Sequence, residues 1–169
     1  STGVDLDIQK MLWNNNGDPR AAILSLSHLD EQERHFAITL VLSKLISWMK
    51  TQQGTGELRA LVYIDEVMGM APPNGMPSTK KPILTLLKQA RAFGVGLVLS
   101  TQNPIDLDYK AISNAGTWMV GRLQTEQDKK RLVDGLRSAD GSTDIKALEA
   151  TISALGKRQF ILRSSKNSE

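Results

Sequence analysis

Two adjacent carboxylates, Asp65 and Glu66, follow a short apolar run and are the residues of this chain best suited to chemistry. The run, Leu61–Ile64, is rich in strand-forming residues and long enough for a strand buried on both faces. In open α/β sheets, ligands bind at the carboxyl ends of such strands. Neighbouring side chains of a strand point in opposite directions, so the two acids can have different tasks. One would hold a hydrated Mg²⁺ and the other would orient or deprotonate a water; the alternative is a strand that ends in two solvated acids.

A second strand is predicted at Val95–Ser100, and it is followed by the polar residues Thr101 and Gln102. A helix lies between the two predicted strands, so a parallel crossover would bring both carboxyl ends to the same edge of a sheet. The edge would then hold two acids and one neutral amide. This set suits phosphoryl transfer, because an acid can bind metal or orient the nucleophile while the amide contacts the transferred phosphate.

The rest of the chain predicts the elements that would position this site. Three more apolar runs are predicted to be strands: Ala21–Leu26, Thr117–Val120 and Gln159–Leu162. Asp30 and Glu33 form a capping pair that predicts the start of an amphipathic helix. Further helices are predicted at Val4–Trp13, about Pro82–Phe93, Ile105–Asn114, Thr125 to about Gly135, and Asp144–Leu155. The alternation indicates an α/β fold with a mostly parallel sheet of about five strands and helices on both faces.

The chain of 169 residues is expected to form a single domain, because this length allows one sizeable core. Within it, residues 1–19 are predicted to hold a short helix and a turn, and residues 164–169 a tail. Gly54-Thr55-Gly56 is predicted to be a linker, and Met68–Thr79, with three prolines, an exposed loop.

Composition narrows the classes of function. The chain has no cysteine, which excludes disulfides and thiolate metal sites, and two histidines are too few for a histidine-based metal site. The net charge of +3 is compatible with a nucleic-acid partner without requiring one. No apolar run reaches the roughly 18 residues of a membrane span, and no leader sequence is seen, so we expect a cytoplasmic protein without a membrane partner.

Several segments together resemble one family. Leu61–Glu66 resembles a Walker B motif, and Gln89–Pro104 resembles the stretch that follows it in the HerA–FtsK superfamily of DNA-pumping ATPases, most of all in its HerA branch. The similarity continues through Ile23–Leu29, Ile112–Thr117 and Val120–Leu123, and it spans roughly residues 20–163.

The resemblance implies part of a RecA-like P-loop ATPase core and a role for each site residue. Asp65 would support Mg²⁺ through its water shell, Glu66 would activate the attacking water, and Gln102 would sense the γ-phosphate. Arg91 would be an arginine finger directed at the neighbouring subunit of a ring, and Arg122 a second cation between subunits. On their own, the arginines would be solvated charges and the glutamine a cap of the next turn.

The same resemblance implies cofactors and partners for a full-length protein. These are Mg²⁺ and ATP, DNA as the translocated substrate, a homo-oligomeric, hexameric ring, and a nuclease that works with it. Either the Met68–Thr79 loop or the basic pair Lys80-Lys81 would face the DNA, through phosphate contacts.

One expected motif is absent from the sequence: nowhere does Gly-x-x-x-x-Gly-Lys-Ser/Thr, the loop that cradles phosphates, occur. The chain is therefore expected to be the Walker B and sensor portion of a longer ATP hydrolase and DNA translocase, and to bind ATP weakly or not at all by itself. The alternative is a non-catalytic interaction or oligomerisation module that keeps the fold without nucleotide, using its exposed sheet edge or its methionine loop.

Overall fold

A computed structural model describes residues 6–104, 107–123, 125–139 and 145–164. The chain begins with α1 (Ile8–Leu12), α2 (Glu31–Lys50), β1 (Thr55–Ile64) and α3 (Lys80–Gln89), which ends in a 3₁₀ turn (Ala90–Ala92). It continues with β2 (Phe93–Leu99), α4 (Tyr109–Asn114), β3 (Thr117–Val120), α5 (Glu126–Ala139), α6 (Ile145–Ala154) and β4 (Ile161–Ser164).

The long helix α2 begins at the predicted capping pair. The Asp30 carboxylate accepts a hydrogen bond from the backbone of Glu33 at 2.8 Å, and the Glu33 carboxylate accepts one from the backbone of Asp30 at 3.1 Å. Two of the unpaired amides at the start of the helix are satisfied in this way. The helix then buries four apolar side chains at helical spacing against the main core: Ile38, Leu42, Leu45 and Met49.

The strands β1 and β2 pair in parallel, with Tyr63 opposite Val98 at the end of the ladder that leads to the acids. One face of this pair packs on the main core, which also contains α2 and α3. The other face leaves Leu61, Tyr63 and Val98 exposed by 57%, 60% and 42%. The prediction of helices on both faces was therefore wrong for the described part of the chain, where apolar side chains remain uncovered on one face.

The prediction of a five-stranded, mostly parallel sheet was also wrong. In the described residues, β1 and β2 form a two-stranded parallel sheet, while β3 and β4 form a separate antiparallel pair. The connections explain the antiparallel direction of β4. One helix carries the chain back across a sheet and gives parallel strands, whereas two successive helices, α5 and α6, return it to the end from which it left.

The predicted strand at Ala21–Leu26 is not a strand in the structure. Its apolar side chains face solvent, with Ile23 exposed by 91% and Leu24 by 50%, while Leu26 packs partly against the main core. A short apolar run becomes a strand only where a neighbouring strand satisfies its backbone, and no described strand pairs with this one.

The predicted linker at Gly54–Gly56 is partly wrong, since Thr55 and Gly56 belong to β1. The pairing register shifts between Thr55 and Ala60, opposite the start of β2. Gly94 lies there with φ +71°, and a Cβ at this position would collide with the Glu57 carbonyl oxygen and approach Thr55 Cγ2 at 2.6 Å. Only glycine fits this close crossing of the two strands without strain.

The remaining predicted elements are present with shifted ends. The helix that Thr125 caps runs on to Ala139, well beyond the predicted end near Gly135. Residues 1–5, 105–106, 144 and 165–169, which belong to predicted helix ends and to the tail, lie outside the described residues. Among the helices described, none is long and apolar enough to cross a membrane.

Candidate functional site

The two parallel strands end side by side, at one rim of their sheet. Ile64 is the register partner of Leu99, and the Ser100 amide donates to the Ile64 carbonyl at 3.0 Å. The Val67 amide donates in turn to the Ser100 carbonyl at 2.9 Å, so the ladder continues past both strand ends. The structure therefore brings the two acids and the polar residues after β2 to the same rim.

Asp65 is held by two hydroxyl groups. The Ser100 hydroxyl donates to its Oδ1 at 2.7 Å, and the Tyr63 hydroxyl donates to the same oxygen at 3.0 Å. The Ser100 hydrogen bond, and after it that of Tyr63, holds the pKa of Asp65 below its ordinary value, because both favour the charged form. Asp65 is thus an exposed, fully ionised carboxylate at neutral pH with a fixed orientation.

Glu66 occupies a strained position directly after it. Its φ of +54° is in the left-handed region, which non-glycine residues seldom adopt. Its amide donates to the Ser100 hydroxyl oxygen at 3.2 Å, and its Oε1 accepts from the Thr101 hydroxyl at 3.2 Å. This backbone turn places the half-buried Glu66 side chain beside Thr101 rather than beside Asp65. The carboxylates of the two acids therefore have different hydrogen-bond partners.

The other predicted site residues are more dispersed. Gln102 is exposed and follows directly on Thr101, which places it at the same rim as the acids. Arg91 is exposed in the 3₁₀ turn before β2 and hence at the opposite rim. Seven residues of β2 separate the two rims, or roughly 20 Å at the rise of a strand. Arg122 follows β3 and lines a separate cleft, whose lining includes neither acid.

The loop between Glu66 and α3 is less exposed than predicted, because Lys80 ties it down. The Lys80 ammonium, with 6% of its side chain exposed, donates to the carbonyls of Pro72 at 2.6 Å and Gly75 at 3.2 Å. It also pairs with the Asp108 carboxylate at 2.8 Å. Met70 and Ala71 are buried, while Met68 and Met76 are exposed by 57% and 75%. The prediction that Lys80 faces DNA was wrong, since a buried ammonium cannot contact phosphate.

Lys80 and Asp108, called here the loop latch, join the two loops that leave the rim. The first loop follows β1 and the second follows β2, and they also meet where the Asp108 amide donates to the Ala71 carbonyl at 2.6 Å. Burial by itself would raise the pKa of Asp108, but the hydrogen bond from Lys80, the Lys110 amide and the nearby positive charges outweigh it and lower the pKa. The latch is therefore a true ion pair at neutral pH.

The residues at the rim fit a hydrated Mg²⁺ held by a carboxylate, but not a metal ion enclosed by protein ligands. No group of three or more His, Cys, Asp or Glu side chains in the described residues could enclose an ion. Mg²⁺ usually keeps several waters and binds through one or two carboxylates together with substrate phosphates. The ionised and exposed Asp65 fits that requirement, whereas a cation needing a complete protein cage does not fit.

Sequence reasoning missed the contacts that organise the rim. Ser100 and Thr101 were seen only as polar residues after a strand, although each hydroxyl contacts one acid. Two successive hydroxyl residues directly after β2, beside the two acids that follow β1, were the available signal. The Lys80–Asp108 pair, 28 positions apart, gives no local signal in the sequence.

Comparison with known proteins adds evidence on the fold alone. No family model matches the sequence, and no curated protein resembles it. Among solved structures, the genome packaging NTPase B204 from Sulfolobus turreted icosahedral virus 2, in complex with ATP-γ-S, superposes with a TM-score of 0.59 over 98% of this chain and 68% of that one, at 14% identity. The chain has an NTPase-like α/β fold. The complex of the same NTPase with AMPPCP gives a TM-score of 0.52 at 20% identity, over 80% of this chain and 60% of that one.

Proposed function

We propose that this chain is the Walker B and sensor portion of a HerA-like ATPase, which couples ATP hydrolysis to DNA translocation. One observation carries the proposal: Asp65 and Glu66 lie at one rim of a parallel sheet, each held by a hydroxyl from the neighbouring strand end. The similarity of the fold to an NTPase solved with nucleotide supports it. Residues 1–169 would then be one domain-sized part of a RecA-like core, rather than a complete enzyme.

Asp65 and Glu66 would have different roles, because their surroundings differ. Asp65, ionised and exposed, would hold Mg²⁺ through its waters, and the metal would neutralise the charge of the phosphates. Glu66, turned away from Asp65, would accept a proton from the attacking water. Gln102, next to Thr101 and exposed, would contact the γ-phosphate as it is transferred.

Arg91 would act on another subunit. It lies at the rim opposite the acids, roughly 20 Å away along β2, so it cannot serve the site of its own chain. In a ring, the same exposed turn would face the nucleotide of the adjacent subunit. This position supports Arg91 as an arginine finger that acts between subunits. The hexameric ring, and Arg122 as a second cation between subunits, are proposed from the family resemblance.

The phosphate-binding loop would come from a segment outside these 169 residues. Leu61, Tyr63 and Val98 form an uncovered apolar face of the parallel pair, which in α/β proteins is normally packed. We propose that the rest of the ATPase core covers this face. The chain spans 68% of the packaging NTPase in complex with ATP-γ-S, so the compared fold includes further structure.

DNA and a nuclease are proposed as partners mainly because of the family resemblance. The structural neighbour B204 is a genome packaging NTPase. Here, the exposed Met68 and Met76 remain candidates for the pore-facing loop, whereas Lys80 no longer is one.

The test is steady-state ATP hydrolysis by the natural protein that contains these residues, with and without DNA and with Mg²⁺ chelated. We expect hydrolysis that requires Mg²⁺ and rises with DNA, and we expect the isolated 169-residue chain to bind ATP weakly or not at all in calorimetry. Absence of hydrolysis in the natural protein, or micromolar ATP binding by the isolated chain, would contradict the proposal.

A second candidate is a non-catalytic interaction module. The uncovered face of β1 and β2 favours it, because such a face can also be covered by a partner or a second copy. The sequence encoded upstream separates the two proposals: a Gly-x-x-x-x-Gly-Lys-Ser/Thr loop there supports the ATPase, and its absence supports the module.

A further inference from the structure

A basic cleft, lined by none of the acidic-rim residues, lies between the end of β3, the helices α5 and α6, and the turn before β4. Its volume is about 710 Å³, within the range of clefts that hold a ligand the size of a nucleotide. Four of its lining side chains are cations, Arg122, Lys129, Lys157 and Arg158, and none of the described lining residues is acidic.

Among the described residues, no acid neutralises three of these cations. Lys129 pairs with Glu126 at 2.6 Å, but Arg122, Lys157 and Arg158 form no ion pair within the described parts of the chain. All three are exposed. Like charges that converge on one cleft repel each other, and an anion bound between them would relieve that repulsion.

The turn that carries Lys157 and Arg158 is held by two hydrogen bonds. The backbone amide of Gly156 donates to the side-chain oxygen of Gln159 at 2.7 Å, and the backbone amide of Gln159 donates to the Gly156 carbonyl at 3.3 Å. Between them, Arg158 adopts a φ of +64°, which is unusual for a residue with a side chain. Strain of this kind is often found where a side chain must be presented to a ligand.

An exposed aromatic ring completes the cleft. Phe160 is 69% exposed, yet its ring lies close over Gly121, where a Cβ would approach ring atom Cε1 at 3.0 Å. Contact with the glycine backbone supports one side of the ring and leaves the remainder open to solvent. An exposed aromatic surface beside several cations is the combination that proteins use to bind unpaired nucleotides.

We propose that this cleft binds a single strand of nucleic acid. Lys157 and Arg158 contact its phosphates, and one base stacks on Phe160. A single strand fits better than a duplex, because the bases of a duplex are already stacked and cannot cover the ring. The proposal goes beyond ATP hydrolysis at the acidic rim and requires no bound nucleotide.

The experiment is fluorescence anisotropy of a labelled oligothymidine of twelve nucleotides, titrated with the chain at several salt concentrations. Lys157→Ala and Arg158→Ala should each weaken binding and lower the slope of log affinity against log salt by about 0.7. Lys44→Ala, which removes an exposed lysine from α2, is the matched control and should change neither. Phe160→Leu should weaken binding about 5- to 100-fold, while Phe160→Tyr, which keeps a ring, should restore it.

Competition by unlabelled duplex DNA, ATP and inorganic phosphate identifies the ligand. The proposal expects unlabelled single strands to compete best. It is overturned if Lys157→Ala and Lys44→Ala weaken binding equally, or if ATP displaces the probe at lower concentration than the single strand does. Circular dichroism and thermal unfolding of each variant show that the fold is retained. Glu66→Gln should leave probe binding unchanged, so a failure of the ATPase proposal and a failure of this one are separable.

Discussion

The loop latch supports a quantitative prediction about stability. Lys80→Met keeps most of the side-chain volume but removes the ammonium that contacts Asp108 at 2.8 Å and the Pro72 carbonyl at 2.6 Å. Asp108 would then keep only its hydrogen bond from the Lys110 amide at 2.7 Å, with 15% of its side chain exposed. The main consequence is a mostly buried carboxylate that has lost its ion-pair partner and keeps only the weaker attraction of the Lys110 charge.

The size of the stability loss in Lys80→Met follows from the burial of Asp108. Removing one partner of a buried ion pair destabilises a protein by about 3–5 kcal/mol, because the remaining charge is left without compensation. Asp108 retains some contact with solvent, so we expect the lower end, about 3 kcal/mol. For a chain of 169 residues this corresponds to a fall in Tm of about 6–12 °C.

Urea unfolding of the 169-residue chain at neutral pH measures this loss. Lys81→Met, at the exposed neighbouring lysine, is the matched control and should stay within about 0.5 kcal/mol of wild type. The double variant Lys80→Met/Asp108→Asn should lose less than the sum of the single changes, since no buried charge remains. Equal losses for Lys80→Met and Lys81→Met would refute the reasoning.

The destabilisation caused by Lys80→Met should depend on pH. In the wild type, the pKa of Asp108 is lowered from 3.8, so its contribution to stability is complete above that value and is lost as the pH falls through the folded-state pKa. In Lys80→Met the opposing effect of burial should raise this pKa. The stability difference between wild type and variant should therefore be largest at neutral pH and shrink in acid.

Three further predictions concern local geometry. Gly94→Ala should destabilise the chain by about 2–4 kcal/mol in urea unfolding, through its positive φ and the collision with Glu57; a loss below about 1 kcal/mol would show that the strands separate easily. Ser100→Ala should raise the pKa of Asp65 toward 3.8 in a carboxyl NMR titration, and its destabilisation should decrease as the pH falls below that value; an unshifted titration would exclude the hydrogen bond. Asp30→Ala should cost about 1 kcal/mol by loss of the cap of α2, and a neutral result would contradict the capping box.

The sequence predicts the parts of this fold that depend on local pattern. The apolar runs before Asp65 and Ser100, with a helix between them, correctly placed the residues that follow two parallel strands at one rim. The cap at Asp30 was also correct, because it depends on residues only three apart. Spacing of this kind is local physics and is visible in a single sequence.

Contacts between residues that are far apart in the chain cannot be predicted from a single sequence in the same way. Ile23 and Leu24 have the composition of a buried strand, but no described neighbour pairs with them. Lys80 has the appearance of a surface lysine, and its burial depends on three carbonyls of its own loop and on Asp108. The antiparallel direction of β4 could have been predicted, because two helices were already evident between the last two strands.

The central claim is that Glu66 takes a proton from water during ATP hydrolysis. The most direct measurement is kcat of the natural protein at saturating Mg·ATP for Glu66→Gln, beside Glu57→Gln at the other end of β1 as the matched control. The account predicts a loss of about 10²–10⁴ in kcat for Glu66→Gln alone, with ATP still bound. Unchanged kcat in Glu66→Gln, or equal losses in both variants, would contradict it.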